Sequence, residues 1–142
     1  MMTQPIDTTA VTEAIRDAYA ALNQNDISGF MQILDPDIER VEPEGFPMSG
    51  TYRGLEAVTA QFIQARSTWA EGSCEPKRFL VAGDKVIVFV HVRVRLKDKN
   101  DWIDGRIADV FVWRNGKATQ FRTFADEHQA LAWAGVDEQP NA

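Results

Sequence analysis

The feature of the sequence that most constrains its fold is a change of hydrophobic periodicity near Gly72. Before this point, apolar residues recur at intervals of three and four, which is typical of amphipathic helices. After it, polar and apolar residues alternate, and the dipeptides Gly83-Asp84 and Asn115-Gly116 interrupt the alternation with turn signals. The chain therefore divides into a helical first half and a sheet-forming second half.

The periodicity predicts helices at residues 8–23, 27–34 and 55–66, with a short strand at 37–42 and a loop at 43–54. Four antiparallel strands are expected at 74–82, 85–97, 102–114 and 117–125, followed by a helical turn at 127–133. Segregated elements of this kind form an α+β domain, with helices on one face of a sheet that can curl into a cone around a pocket. We expect one domain over residues 1–142, with its core at about 8–135.

Charge and composition exclude several classes of function. A net charge of -6 and a pI near 4.9 argue against a basic surface that binds the phosphate backbone of nucleic acid. The chain has neither an apolar run long enough to cross a membrane nor a signal-like start, so a cytoplasmic protein is expected. Cys74 is the only cysteine, and His91 and His128 are the only histidines, so we expect no disulfide, no metal site and no cofactor.

The predicted strand at 85–97 has two unlike faces. One face, called the valine face below, consists of Val86, Val88, Val90, Val92 and Val94. The other face, called the mixed face, consists of Ile87, Phe89, His91, Arg93 and Arg95. An unbroken valine face suggests burial against a partner subunit, and hence a homodimer through the outer side of the sheet. The mixed face is then expected to line the pocket.

Several stretches together resemble the ketosteroid isomerase family, part of the nuclear transport factor 2 superfamily that also includes SnoaL-like polyketide cyclases. They are Ala18–Asp26 with Gly29, Leu34–Asp37, Val81–Asp84, Ala108–Lys117 and Phe121–Phe124. The resemblance extends from Ala10 to about Asp126. It implies a small-molecule pocket inside a cone-shaped sheet, while the chemistry performed on this scaffold varies between proteins.

The resemblance also implies roles for individual residues. Glu42, which Pro43 follows, falls where the isomerases carry their proton-shuttling carboxylate, and Asp109 falls on their buried oxyanion-binding acid. The family's tyrosine aligns with Ala18. Tyr19 is one residue further along, which is about 100° around a helix, so it is not expected to take that place.

His91 and Arg93 fall where the isomerases have apolar pocket wall, so the resemblance implies a more polar pocket for an oxygenated or anionic ligand. Arg40 is predicted to face the same interior, and Phe89 and Phe111 are predicted to line its wall. A lone histidine such as His91 is also compatible with a hydrogen-bonded structural role.

The predicted function is cofactor-independent proton transfer on a small carbonyl compound, as in isomerisation or cyclisation. Glu42 would be the base, Asp109 and His91 would stabilise the oxyanion, and Arg93 would orient the substrate. Three alternatives stay open: a structural network in which Arg40 and Arg93 hold the two acids ionised, a ligand-binding or dimerising module without catalysis, and water activation resembling epoxide hydrolases.

Overall fold

The computed structural model describes residues 7–136, which form four helices and six strands. The helices are α1 (Thr8–Asn23), α2 (Ile27–Met31), α3 (Leu55–Ser67) and α4 (Glu127–Trp133). The strands are β1 (Leu34–Glu42), β2 (Gly50–Arg53), β3 (Trp69–Ala82), β4 (Lys85–Leu96), β5 (Ile103–Arg114) and β6 (Lys117–Phe124). No helix in this part of the chain is both long enough and apolar enough to cross a membrane.

The strands form one sheet in the order β2-β1-β6-β5-β4-β3. Neighbouring strands are antiparallel except β1 and β6, which run parallel. The first three helices pack on one face of the sheet, called the inner face, and α4 packs on the outer face. The predicted α+β class, with its helices and curved sheet, is confirmed.

The valine face lies on the inner side of the sheet. Val86, Val88 and Val90 are fully buried in the main core with α1, α2 and α3. A smaller cluster on the outer face joins Ile87 and Phe89 to α4. The sequence prediction therefore had the two faces reversed, and the valine face is buried within the chain rather than against a partner subunit.

Aspartates begin three of the four helices, because each carboxylate accepts a hydrogen bond from an unpaired backbone N–H in the first turn. Asp7 accepts from Ala10 N at 3.1 Å, Asp26 from Gly29 N at 3.0 Å, and Asp126 from His128 N at 2.7 Å. Because Asp26 caps α2, this helix begins at Ile27, soon after α1 ends at Asn23.

The structure differs from the sequence prediction at three places, and one of them is the start of β3, at Trp69 instead of residue 74. The stretch predicted as a loop contains β2, a four-residue edge strand that pairs with β1 and is too short to show an alternating pattern. An ion pair between Arg53 and Glu39, at 2.9 Å, links these two strands. β1 also begins at Leu34 and includes Asp35 and Pro36, where a helix end was expected.

Candidate functional site

The interior of the fold contains a cluster of polar side chains centred on Asp109. This residue lies on β5 and is 3% exposed. Its Oδ1 accepts a hydrogen bond from Thr123 Oγ1 at 2.6 Å, and its Oδ2 accepts one from the Tyr19 hydroxyl. Thr123 is placed by cross-strand pairing with Asp109, whereas Tyr19 reaches it from α1. Two strands and a helix thus converge on one carboxyl group.

Arg40 and Glu42 form the second half of this cluster. They are two residues apart on β1 and lie on the same face, because alternate residues of a strand point to the same side. Arg40 Nη2 lies 3.3 Å from Glu42 Oε1, and Gln61 Nε2 donates to Glu42 Oε2 at 3.1 Å. The Arg40 guanidinium also lies over the Phe121 ring, 4.1 Å from its centroid. We call Tyr19, Arg40, Glu42, Gln61, Asp109 and Thr123 the interior cluster.

Burial dominates the electrostatics of both acids. Desolvation raises the pKa of Asp109, against the opposing effects of the Arg40 charge and of the hydrogen bonds from Thr123 and Tyr19. Desolvation also raises the pKa of Glu42, where Arg40 opposes the shift and Asp109 adds to it. The two acids therefore hold their protons more strongly than exposed carboxyls do.

The interior cluster differs from its surroundings, which are aromatic. Phe30, Phe62, Phe111 and Phe121 lie close to one another, and the rings of Phe111 and Phe121 stack with centroids 4.5 Å apart. Glu42 is the most accessible ionisable member of the cluster, with 15% of its side chain exposed. A ligand that reaches the cluster from solvent would meet Glu42 first.

Two surface clefts lie away from the interior cluster. One, of about 530 Å³, lies between the end of α1, the end of α3 and the start of β3. The other, of about 480 Å³, lies on the outer face of the sheet beside the start of α4. Neither is lined by a member of the interior cluster.

The structure places four of the predicted site residues in or beside the interior cluster. Arg40, Glu42 and Asp109 are members of it, and Phe111 lies in the adjacent aromatic group. Ala18 is buried in the main core, but its neighbour Tyr19 supplies the hydroxyl. Tyr19 was not expected to take the place of the family's tyrosine, yet its hydroxyl contacts Asp109 from α1.

Three predicted pocket residues lie on the opposite side of the sheet. Register pairs Val88 with Asp109, so Phe89, His91 and Arg93 point to the other face. His91 Nε2 is 2.7 Å from Asp104 Oδ1, and Arg93 is half-exposed, stacked on Trp102. Their prediction as interior residues was wrong, since solvated charges were assigned to the buried face.

Sequence reasoning missed Gln61 and Thr123. Gln61 interrupts the apolar face of α3 and is 4% exposed, and Thr123 lies between two phenylalanines on β6. The available signal was a polar residue at a position whose helical or strand period predicts burial. Among residues 7–136, no three His, Cys, Asp or Glu side chains lie close enough together to hold a metal ion.

Comparison with known proteins agrees with this architecture. The profile of the SnoaL-like domain family matches residues 15–121. A search of curated proteins finds no match. Three solved structures are similar, each over most of both chains.

The first is a nuclear transport factor 2-like protein of unknown function from Burkholderia pseudomallei, with 26% identity, a TM-score of 0.73, and coverage of 85% of this chain and 94% of that one. The second is a nuclear transport factor 2-like protein from Burkholderia xenovorans, with 28% identity, a TM-score of 0.70, and coverage of 94% of this chain and 98% of that one. The third is TerC co-crystallised with polyporic acid, with 25% identity, a TM-score of 0.73, and coverage of 88% and 98%. Together with the profile match over most of its length, these likenesses show that the chain belongs to the SnoaL-like domain family.

Proposed function

We propose that this SnoaL-like protein catalyses proton transfer on a small carbonyl compound, with Glu42 as the base. The observation that carries the proposal is a carboxyl group with a raised pKa at the accessible end of a buried polar cluster. A raised pKa makes a carboxylate a stronger base, and it brings that base closer to the operating pH. The crystal structure of TerC with polyporic acid supports a small organic ligand, because that protein is 25% identical to this one.

In the proposed reaction, the ionised Glu42 carboxylate removes a proton from the carbon next to the substrate carbonyl. The electron pair of the broken C–H bond forms a C=C bond to the carbonyl carbon, and the π pair of the carbonyl group moves onto the oxygen. In a β,γ-unsaturated ketone this gives a dienolate, which can be protonated at the γ carbon. Glu42 then returns the proton at a different carbon, so the double bond moves and the base is regenerated. Gln61 and Arg40 hold the carboxylate in place through its two oxygens.

The Tyr19 and Asp109 pair is proposed to stabilise the enolate oxygen. Burial favours the protonated form of Asp109. In that form the hydrogen bond that Tyr19 donates to Asp109 Oδ2 in the structure would reverse, with the carboxyl group donating to the Tyr19 oxygen. The Tyr19 hydroxyl can then donate a hydrogen bond to the enolate oxygen. A hydrogen bond to this developing negative charge is stronger in an apolar interior than in water. Ketosteroid isomerase is the general precedent for a carboxyl group kept neutral for this purpose.

The experiment that tests this proposal uses a small cyclic β,γ-unsaturated ketone, whose conjugated product absorbs in the ultraviolet. Deuterium uptake from heavy water, followed by NMR, reports the proton abstraction directly. Glu42→Gln should lower both rates by at least about 100-fold, because it removes the base and keeps the shape. Glu56→Gln is the matched control, since Glu56 is an exposed residue of α3 and the same charge is removed.

Equal rates in wild type, Glu42→Gln and buffer would contradict proton transfer on this ketone. If the ketone nevertheless binds, with the same affinity in both variants and without deuterium uptake, the ligand-binding alternative replaces the catalytic one.

One observation favours water activation as a second candidate. Both Arg40 and Arg93 were predicted to lie beside the two acids. Of these, Arg40 forms an ion pair with Glu42, and its charge opposes the desolvation that raises the pKa of Asp109, whereas Arg93 points to the other face of the sheet. With an arginine to hold two acids in place, the ionised acid can take a proton from water as the water oxygen attacks an epoxide carbon. The ring C–O bond then breaks and the protonated acid gives its proton to the ring oxygen. Hydrolysis of styrene oxide that is lost in Arg40→Met would support this candidate over isomerisation.

A homodimer and a cytoplasmic location are proposals too. Since Val86 and Val88 are buried inside the chain, the valine face is not available to a partner, and a dimer through the sheet would have to use its outer face. Light scattering measures the molecular mass, and a value near 16.0 kDa would contradict the dimer.

A further inference from the structure

The cleft of about 480 Å³ on the outer face of the sheet has the composition of a ligand site and is separate from the interior cluster. We call it the outer cleft. It is lined by Lys77, Arg78, Phe89, Val90, His91, Asp104, Arg106 and Glu127. Its volume falls within the range of small-molecule sites in proteins, which is about 300–1,000 Å³.

A break in strand register brings two cationic side chains to the outer cleft. Pro76 pairs with Val90 and Arg78 pairs with Phe89, so Lys77 is an extra residue on β3 and forms a bulge. In a regular strand, neighbouring side chains point to opposite faces. The bulge removes this alternation and lets both Lys77 and Arg78 line the same cleft.

The cations of the outer cleft lack anionic partners. Within residues 7–136, no ion pair involves Lys77, Arg78 or Arg106. Arg78 lies over the Phe89 ring, 5.0 Å from its centroid. These three charges therefore gather in one cleft of a chain whose net charge is -6.

The two acids that line the outer cleft do not neutralise it. Asp104 lies 2.7 Å from His91 Nε2 and 3.9 Å from Arg93 Nε, so its charge is already engaged. Glu127 is the first residue of α4, at the rim. The cleft is thus left with an excess of positive charge around the Phe89 ring.

We propose that the outer cleft binds the phosphate group of a small phosphorylated compound. A phosphate monoester carries up to two negative charges on three terminal oxygens, which matches three separate cations better than a planar carboxylate does. Phe89 also lines the cleft, but it is only 8% exposed and Arg78 lies over its ring, so the proposed recognition rests on the phosphate group. The proposal concerns binding on the outer face and does not depend on the chemistry of the interior cluster.

Phenyl phosphate is the probe, and its binding is followed by NMR through the imidazole signal of His91 and the backbone amides of β3 and β5. We expect saturable shifts at these positions. Arg106→Gln and Lys77→Gln should each weaken binding by about tenfold, because each removes a charge-assisted hydrogen bond. Arg53→Gln is the matched control, since Arg53 is an exposed arginine of β2 and its loss changes the net charge equally.

A variant that should bind phenyl phosphate more tightly completes the test, because a folding defect would weaken binding and could not strengthen it. Glu127→Gln removes the unengaged acid from the rim, so it should tighten phenyl phosphate binding by about two- to threefold. Shifts that do not saturate, or that respond equally to Arg53→Gln and Arg106→Gln, would overturn the proposal. Malonate binding as tightly as phenyl phosphate would overturn the assignment to phosphate.

Discussion

At the scale of the residue, Asp109 holds a carboxyl group whose two oxygens both face hydroxyl donors rather than a direct ionic partner. Tyr19 and Thr123 are neutral, and Arg40 is ion-paired with Glu42. Neutral donors compensate less for a buried negative charge than a close cation does. This explains why desolvation outweighs the other influences and raises the pKa of Asp109.

The raised pKa predicts a pH dependence of stability that Asp109→Asn removes. In the unfolded chain, the Asp109 carboxyl ionises near its ordinary pKa of about 3.9. In the folded chain it keeps its proton to a higher pH, so the folded state binds more protons between the two values. The free energy of unfolding contributed by Asp109 is therefore fully present at low pH and is lost as pH rises through the folded pKa.

Urea unfolding of wild type and Asp109→Asn at a series of pH values measures this effect. The difference in free energy of unfolding, wild type minus variant, should fall above about pH 4, with a slope of up to about 1.4 kcal/mol per pH unit. A difference that rises with pH would mean that the folded protein favours the ionised carboxylate.

The residues of the interior cluster were only partly predictable from sequence. Glu42 and Asp109 were identified through a family resemblance, and the structure places both in one cluster. The contact of Tyr19 with Asp109 was not predicted, because a residue's angle on a helix fixes the direction of Cα–Cβ and not the reach of a long side chain. Gln61 lies at a position of α3 whose helical period predicts burial, but its partner Glu42 is distant in sequence, so the period does not identify the contact.

At the scale of the element, β4 shows why strand alternation predicted its existence but not its orientation. Helices cover the middle of the strand on both sides, with α1 to α3 on the inner face and α4 on the outer face. Both faces therefore consist of apolar residues there. Only His91, Arg93 and Arg95, at the far end of the strand, mark the face that meets solvent. Burying an unpaired charge is unfavourable, whereas burying valine is favourable, and this difference settles the orientation.

The pairing of β3 with β4 depends on Gly72, where the two backbones approach closely. Its φ is +157°, and an added Cβ would lie 2.8 Å from Arg93 O and 2.9 Å from Val94 Cα. Gly72→Ala should therefore lower the free energy of unfolding by about 1–3 kcal/mol, as measured by urea denaturation.

Gly105→Ala is the control for this prediction. Gly105 lies on β5 with no atom within 4 Å of an added Cβ, so its substitution should leave stability within about 0.5 kcal/mol. Equal stability of Gly72→Ala and wild type would show that the two strands can separate at this point without cost.

At the scale of the whole molecule, one sheet separates two polar regions with different properties. The interior cluster is buried among aromatic rings, whereas the outer cleft holds unpaired cations beside α4. The change of periodicity near Gly72 predicted this α+β architecture, since helical and alternating patterns are local properties. The pairing of β1 with β6 and the packing of α4 on the outer face depend on contacts distant in sequence, which periodicity does not encode.

The central claim is that burial inside the sheet keeps the two acids of the interior cluster ready to hold and release protons. Carbon-13 NMR of the side-chain carboxyl groups, titrated with pH, tests it most directly. Signals of Asp109 and Glu42 are assigned by their loss in Asp109→Asn and Glu42→Gln. Both should titrate at higher pH than the exposed carboxyl groups. Titration of Asp109 at or below the ordinary aspartate pKa of about 3.9 would contradict the claim.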